Sequence, residues 1–323
     1  MRPGATAAEG VDGPLDSCQR PFLSSGTGRY AGPMPEVVVG VDGSEGAAEA
    51  LIWAAREASL RDLPLTAVMA WGFLDQHHTI VGERFDPSYG EPEAKAALDA
   101  AVDSTLAADR AVDVQRRVTC DLAARALLDS AAGAELLVVG ARGLGGFRGL
   151  LLGSVSQRCL AHAPCPVAVV RSGAALPKGG TIERIVVGVD GSETSQHALR
   201  WALQEGRLRQ AAVQVVHAWQ YPYLGGYPMT GVTFDPARFE EGGRQVLDSV
   251  LEAADTSDLP APLERVLVCG SGATAILDTA KGADLVVVGS RGLGGLAGLL
   301  LGSVSHQVTH HAAFPVVVVP PGA

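Results

Sequence analysis

The sequence has few aromatic residues and few cysteines, and it contains no long apolar run. Phe, Trp and Tyr make up 5% of its 323 residues. The five cysteines are an odd number, and no two have the CxxC spacing of zinc and redox motifs. A disulfide framework is therefore not expected, and we expect Cys120, Cys159 and Cys269 to be small buried hydrophobes. No stretch approaches the roughly 18 apolar residues of a membrane helix, and no signal peptide is recognised.

Positive charge is also scarce. There are 25 Lys and Arg residues against 35 Asp and Glu, which gives a formal net charge of −10. Such a chain is a poor candidate for binding DNA, RNA or anionic membranes through bulk charge. It can still bind a nucleotide, because a local loop of backbone N–H groups holds phosphate on an acidic protein. The cysteine content favours a reducing cytoplasm.

Two common nucleotide-binding motifs are missing. No G-K-[ST] of a Walker A loop is present, and no GxGxxG follows a strand. Paired carboxylates and a nucleophile with an evident base are also absent from the pattern. No catalytic or metal-ligating residue is therefore proposed, although slow hydrolysis of a bound nucleotide stays open.

The strongest pattern is an internal duplication. VVVGVDGS at Val37–Ser44 returns as IVVGVDGS at Ile185–Ser192. Of the 29 residues in Arg142–Val170, 19 are identical in Arg291–Val319. The sequence therefore predicts two domains of one kind, at 36–171 and 182–320. A Pro- and Gly-containing linker at 172–181 joins them, and a disordered tail at 1–35 precedes them.

Each copy alternates strands and helices. In the first copy the first predicted strand, Glu36–Val41, is a continuous β-branched run of the kind buried on both faces of a parallel sheet. The other predicted strands are Leu65–Trp71, Gln115–Cys120, Glu135–Gly140 and Pro166–Val170. Ser44 is a suitable N-cap for the helix that follows the first strand. Alternation of this kind predicts an α/β fold with two tandem doubly wound domains, each a parallel sheet flanked by helices.

Glycines follow the fourth strand of each copy in the pattern G-x2-G-x9-G-S. They are Gly140, Gly143 and Gly153 with Ser154, and Gly289, Gly292 and Gly302 with Ser303. Glycine lets backbone approach a ligand closely, and the N–H groups of a helix start attract phosphate. Ligands of open α/β sheets bind at this carboxyl end of the strands. The pattern predicts a phosphate site in each copy, although turn formation alone also explains single glycines.

At these residues the sequence resembles the universal stress protein family, whose motif is G-2x-G-9x-G-[ST] with an Asp after the first strand. Both halves match, over nearly all of residues 36–320. The resemblance implies a tandem, ATP-binding member with five-stranded sheets of order 3-2-1-4-5. It implies two ATP molecules with Mg²⁺, and contact between the halves, or a homodimer, through Val167–Val170 and Val316–Val319.

The resemblance also implies which residues touch the nucleotide. In the first copy they are Gly40, Asp42, Ala70, Val139, Gly140, Arg142, Gly143, Gly153, Ser154 and Val155. In the second they are Gly188, Asp190, Ala218, Val288, Gly289, Arg291, Gly292, Gly302, Ser303 and Val304. The two aspartates could instead serve only the helix start, and the two arginines could be solvated. The copies differ at Asp121 against Gly270 and at Arg148 against Ala297, so we expect unequal affinities.

Three functions fit these patterns. The favoured one is a nucleotide-dependent regulator of a stress response, with an adenine nucleotide as ligand and a signalling partner that the sequence does not name. The second is an ATPase or adenylyl-transfer enzyme. The third is an interaction module whose nucleotide loops are vestigial.

Overall fold

The computed structural model describes residues 35–72, 90–107, 112–144, 151–173, 181–220, 235–294 and 300–322. The predicted tail, apart from residue 35, most of the predicted linker, Arg148 and Ala297 lie outside these ranges. The strands are β1 Val37–Gly40, β2 Leu65–Trp71, β3 Val114–Cys120, β4 Leu136–Gly140, β5 Val167–Val170, β6 Arg184–Val189, β7 Ala212–Trp219, β8 Glu264–Cys269, β9 Leu285–Gly289 and β10 Val316–Val319. The helices are α1 Glu45–Arg61, α2 Glu91–Thr105, α3 Ala123–Ser130, α4 Ser154–His162, α5 Glu193–Arg209, α6 Pro236–Glu252, α7 Gly272–Thr279 and α8 Ser303–His311.

The ten strands form one continuous sheet in the order β3-β2-β1-β4-β5-β10-β9-β6-β7-β8. Each half has the order that the resemblance implies, and the pairings within each half are parallel. The halves meet where β5 and β10 pair antiparallel, with Val169 opposite Val316 and Val167 opposite Val318. The expected contact through these two strands is confirmed.

Local sequence explains why the first helix of each half begins where it does. The Ser44 side chain accepts a hydrogen bond from the Ala47 N–H, and Ser192 does the same for Ser195. Each serine satisfies one of the free N–H groups at a helix start. An acidic residue follows it in both helices, where the helix dipole favours negative charge.

Two apolar layers cover the sheet. One face of the sheet packs against α1, α2, α5 and α6, and the other packs against α3, α4, α7 and α8. The valines of the central strands are almost completely buried, as expected for parallel strands covered on both faces. In the part of the chain that the structure describes, no helix has the length and apolarity to cross a bilayer.

The cysteine prediction is confirmed at one position and wrong at two. Cys159 is buried, whereas Cys120 and Cys269 are exposed. Both exposed cysteines end the outermost strands, β3 and β8, which have a neighbour on one side only within the described sheet. Burial raises the pKa of the Cys159 thiol to about 12 and that of Cys165 to about 11. These two thiols therefore stay protonated and unreactive near neutral pH.

A buried cluster of four charges joins α1 to α5. Glu57 and Glu205 each bond to both Arg61 and Arg209, and the Arg209 Nε lies 2.7 Å from a Glu205 oxygen. All four side chains are at most 7% exposed. Glu57 and Arg61 are the counterparts of Glu205 and Arg209 in the duplicated sequence, so the halves contribute equally to this four-charge cluster. Sequence reasoning did not identify it.

Candidate functional site

In the first half the end of β1 is tied to the loop after β4 by the Asp42 carboxylate. One carboxylate oxygen accepts a hydrogen bond from the Ser44 N–H at 3.0 Å, and the other accepts from the Leu144 N–H at 3.0 Å. A Cβ on Gly143 would lie 2.2 Å from that second oxygen. Glycine at 143 therefore gives the Asp42 carboxylate room to reach the loop.

The second half repeats the link with more hydrogen bonds. Asp190 accepts from the Ser192 N–H at 3.0 Å, from the Ser192 hydroxyl at 2.6 Å and from the Leu293 N–H at 2.9 Å. A Cβ on Gly292 would lie 2.3 Å from the carboxylate. Desolvation alone would raise the pKa of Asp190, but these hydrogen bonds outweigh it and lower the pKa below its ordinary value.

The depressed pKa gives Asp190 a pH-dependent contribution to stability. Its ionised form is favoured in the folded chain, so this contribution is full above the unfolded pKa and is lost as pH falls through the folded one. We expect Asp190→Ala to lower the free energy of unfolding by about 1–3 kcal/mol near pH 7, because it removes hydrogen bonds to a charged group. Urea unfolding of both proteins from pH 7 downwards measures this. The difference in the free energy of unfolding between the two proteins should become smaller only below about pH 4. If it stays unchanged there, Asp190 does not have a lowered pKa in the folded chain.

Other glycines at this edge of the sheet are explained by close packing. A Cβ on Gly140 would lie 2.8 Å from the backbone of Gly46 in α1, and one on Gly289 would lie 2.8 Å from the backbone of Thr194 in α5. Such distances leave no room for a side chain. These two glycines therefore let the first helix of each half approach the end of the fourth strand.

Gly40 and Gly188 make room on the opposite face of the sheet. A Cβ there would meet Leu127 of α3 at 3.0 Å and Ile276 of α7 at 2.3 Å. These glycines have a structural reason that does not involve a ligand.

Gly153 and Gly302 are different, because little inside the chain requires them. Both have φ values open to any residue, −78° and −72°. A Cβ on Gly153 would meet its nearest atoms at 3.5 Å or more, and one on Gly302 would meet them at 3.3 Å or more. The first is ordinary contact and the second is slightly tight. The described neighbours therefore impose only a weak need for glycine at these two positions.

These two glycines are the N-caps of α4 and α8. Neither helix receives a hydrogen bond from a capping side chain within the described residues. The N–H of Gly153 donates to the Ala141 carbonyl and that of Gly302 to the Ser290 carbonyl, both at 2.7 Å. These two amides are therefore engaged within the chain. The N–H groups of Ser154, Val155, Ser303 and Val304 have no acceptor among the described residues.

Two serines that sequence reasoning missed hold these helix starts in place. The Ser156 hydroxyl donates to the Gly140 carbonyl at 2.7 Å, and the Ser305 hydroxyl donates to the Gly289 carbonyl at 2.6 Å. Both serines are buried. Their repetition two residues after Ser154 and Ser303 was the available sequence signal. They fix the first turn of α4 and α8 against the end of the fourth strand.

The remaining predicted residues differ in accessibility. Val139 and Val288 are 3% exposed and belong to the core, so their side chains do not form an open pocket wall. Ala70, Ala218 and Val155 are half-buried. Solvent reaches the side chains of the others, which are Arg142, Ser154, Arg291, Ser303 and Val304.

The chemistry of this edge suits an anion more than a metal ion. Free N–H groups at a helix start and the positive end of the helix dipole favour negative charge. Among the described residues, no three His, Cys, Asp or Glu side chains converge on a point where a metal ion could bind.

Comparison with known proteins agrees with the duplication and the fold. The sequence model of the universal stress protein family matches residues 34–171 and 181–320. A universal stress protein of Mycolicibacterium smegmatis is 34% identical over 295 residues, which are 88% of this chain and 97% of that protein. One from Mycobacterium tuberculosis is 33% identical over 87% of this chain and 96% of its own length.

The fold is also found in a solved structure. A universal stress protein from Archaeoglobus fulgidus superposes with a TM-score of 0.56 at 18% identity, over 89% of this chain and 96% of that one. This likeness concerns the fold alone. Two matched domains and relatives above 30% identity over most of the sequence lead to one conclusion: the chain belongs to the universal stress protein family and carries two of its domains.

Proposed function

We propose that each half binds the phosphates of an adenine nucleotide, with ATP as the ligand, and that occupancy regulates a stress response without catalysis as the main role. The observation that carries the proposal is the pair of helix starts at α4 and α8. Their first-turn N–H groups have no acceptor among the described residues, and each N-cap is a glycine, which has no side chain to bond them. Phosphate oxygens are the acceptors that such a site accommodates best.

Contrast with other helices supports this view. Helices α1, α5, α6 and α7 start with Ser or Asp side chains that bond to their own N–H groups. Helices α2, α3, α4 and α8 lack a bonded capping side chain. Of these four, α4 and α8 are the pair that follow the glycine motif. An anion at these positions would supply the missing acceptors. The adenine and ribose would lie toward the ends of β1, β2 and β4, as the family resemblance implies.

The predicted Mg²⁺ fits this site only as a companion of the nucleotide. Mg²⁺ keeps several water ligands and is commonly held by phosphate oxygens with one or two carboxylates. Both oxygens of each aspartate accept hydrogen bonds, but Asp42 accepts two and is exposed, whereas Asp190 accepts three and is half-buried. The first half therefore has the more available carboxylate.

Location and assembly complete the proposal. A cytoplasmic location agrees with the free thiols of Cys159, Cys165 and Cys269, whereas the disulfide-bonded Cys120 does not support it. The β5 and β10 edges already pair within one chain, so a dimer of whole chains would need a different surface. The acidic net charge fits a protein or small-molecule partner better than a nucleic acid.

Isothermal titration of the full chain with Mg-ATP tests the proposal. We expect two molecules to bind per chain, and adenosine to bind much more weakly because it lacks the phosphates that the amides would hold. Thermal unfolding should shift upward with ATP concentration by mass action. No heat and no shift up to millimolar ATP would overturn the proposal. Turnover near one per second would favour the enzyme alternative.

A further inference from the structure

Arg171 reaches from the first half to the second. It follows β5 directly and lies where the antiparallel partner β10 brings the end of α8 close. Its Nη2 donates to the carbonyl oxygens of Thr309 and His310, both at 2.8 Å. Its Nη1 donates to the Leu151 carbonyl at 3.2 Å. One guanidinium therefore holds three carbonyl groups, two in one half and one in the other.

These contacts are chemically well matched. The last carbonyls of a helix have no partner within it, and a cation there also interacts favourably with the helix dipole. Arg171 is half-buried, which limits competition from water. Desolvation lowers the pKa of Arg171, and the nearby charge of Arg142 lowers it further. Arg142 itself stands in the loop of the first candidate site, so the two cations are within electrostatic reach.

The two ends of this contact lead to the two candidate sites. Leu151 precedes the Gly153 N-cap of α4 by two residues. Helix α8, whose last turn Arg171 holds, begins at Ser303 beside the second site. It has nine residues and spans about 13 Å as a rigid rod. A displacement of its first turn would therefore be felt at its last turn, at Arg171 and at Leu151.

The Arg171 contact has no equivalent at the corresponding position of the second half. The duplicated counterpart of Arg171 is Pro320, which has neither a side-chain donor nor a backbone N–H. Within the described residues this is a clear chemical difference between two otherwise similar halves at their junction.

We propose that Arg171 couples the two nucleotide sites, so that filling one changes the affinity of the other. This inference rests on the proposed function. A phosphate on the first-turn amides of α8 would shift that helix, and Arg171 would pass the shift to the loop before α4. By linkage, nucleotide in the first site changes the affinity of the second by the same factor. Arg171 is a positioning residue in this scheme and does not itself have to touch the nucleotide.

The experiment measures ATP affinity at the first site, by isothermal titration of the full chain, with the second site open or blocked. Gly292→Leu provides the block, because any side chain there displaces the Asp190 carboxylate. Coupled sites commonly differ by a factor of about 5–150, so we expect the first-site affinity to change at least about 5-fold on blocking. In Arg171→Gln the change should fall to less than about 2-fold.

The experiment includes a second variant of Arg171 and a control variant elsewhere in the chain. Arg171→Lys keeps the charge but cannot bridge all three carbonyls, so it should also lose the coupling between the sites. This variant replaces Arg171→Gln in the experiment if Arg171→Gln does not fold. Arg158→Gln, at an exposed position of α4, should keep the wild-type ratio. Two bound ATP molecules with no effect of blocking, or an effect that persists in both Arg171 variants, would overturn this inference alone. Absence of ATP binding in the unmodified chain would overturn the proposed function with it.

Discussion

Glu57→Gln should lower the free energy of unfolding by about 3–5 kcal/mol, the usual result of removing one member of a buried ionic group. The substitution leaves Arg61 and Arg209 buried with one carboxylate between them. That loss is a large part of the 5–15 kcal/mol that stabilises a typical domain. Urea unfolding of the full chain, followed by circular dichroism, measures the effect.

The matched control is Asp103→Asn, which removes an acid from an exposed ion pair with Arg116. The Asp103 side chain is 67% exposed, so the expected loss is about 1 kcal/mol or less. Equal losses in the two variants would show that the four-charge cluster is solvated in solution.

Replacing all four charged residues by apolar ones measures how much the intact cluster contributes to the free energy of unfolding. Glu57→Gln measures instead the cost of leaving the other charges without a partner. Burial raises the pKa of Glu205 even though Arg61 and Arg209 oppose that shift, so desolvation offsets much of the attraction. Replacing Glu57 and Glu205 by Leu, and Arg61 and Arg209 by Met, should therefore cost less than Glu57→Gln alone. The cluster then acts chiefly to select the correct pairing of the two halves.

Gly153→Asp together with Gly302→Asp should reduce ATP affinity by about 100-fold or more while leaving the fold intact. Each new carboxylate would cap its own helix and use the N–H groups that we propose for phosphate. Losing two N–H hydrogen bonds to phosphate at a site weakens the binding free energy of ATP there by about 3 kcal/mol or more. Each 1.4 kcal/mol is about a factor of ten in affinity. Titration with ATP gives the affinity, and thermal unfolding gives the stability.

Stability and binding should change independently in this double variant. Aspartate is at least as good an N-cap as glycine, so the melting temperature without ligand should stay the same or rise slightly. Gly90→Asp is the matched control, because Gly90 is also a glycine N-cap, at the start of α2, and should leave ATP binding unchanged. If ATP still binds to the double variant with wild-type affinity, phosphate does not lie at these helix starts.

The fold could be predicted well from local patterns. The strand ends agree with the structure to within one residue in the first half. The first strand is the clearest case, because it is a β-branched run followed by Asp, Gly and a helix N-cap. Ser44 was identified as an N-cap from its position alone, and its side chain makes that bond. The contact between the halves through these two strands was implied by the family resemblance, since nothing in a valine run specifies its partner. Its antiparallel direction is seen only in the structure.

The site was harder to predict, because glycine has several structural uses. Gly140 and Gly153 look alike in the motif, yet a Cβ on Gly140 would lie 2.8 Å from a helix backbone, whereas one on Gly153 would meet its nearest described atom at an ordinary 3.5 Å. The four-charge cluster was not predictable, since Glu57 and Arg61 have the spacing of an ordinary exposed pair. Their burial depends on which surface of the second half covers them. The exposure of Cys120 and Cys269 likewise depends on which strands lie at the sheet edges.

The antiparallel joint between β5 and β10 also has a consequence for biosynthesis. The ribosome synthesises the first half before the second, so Val167–Val170 leaves the ribosome before its partner strand Val316–Val319 has been synthesised. At about 5–20 residues per second, the nascent chain carries an uncovered valine edge for roughly ten seconds or more. Unpaired edges of this kind join readily to other chains. Neighbouring ribosomes on one message would therefore bring together first halves that can pair wrongly, and slow translation of the second half should increase such products.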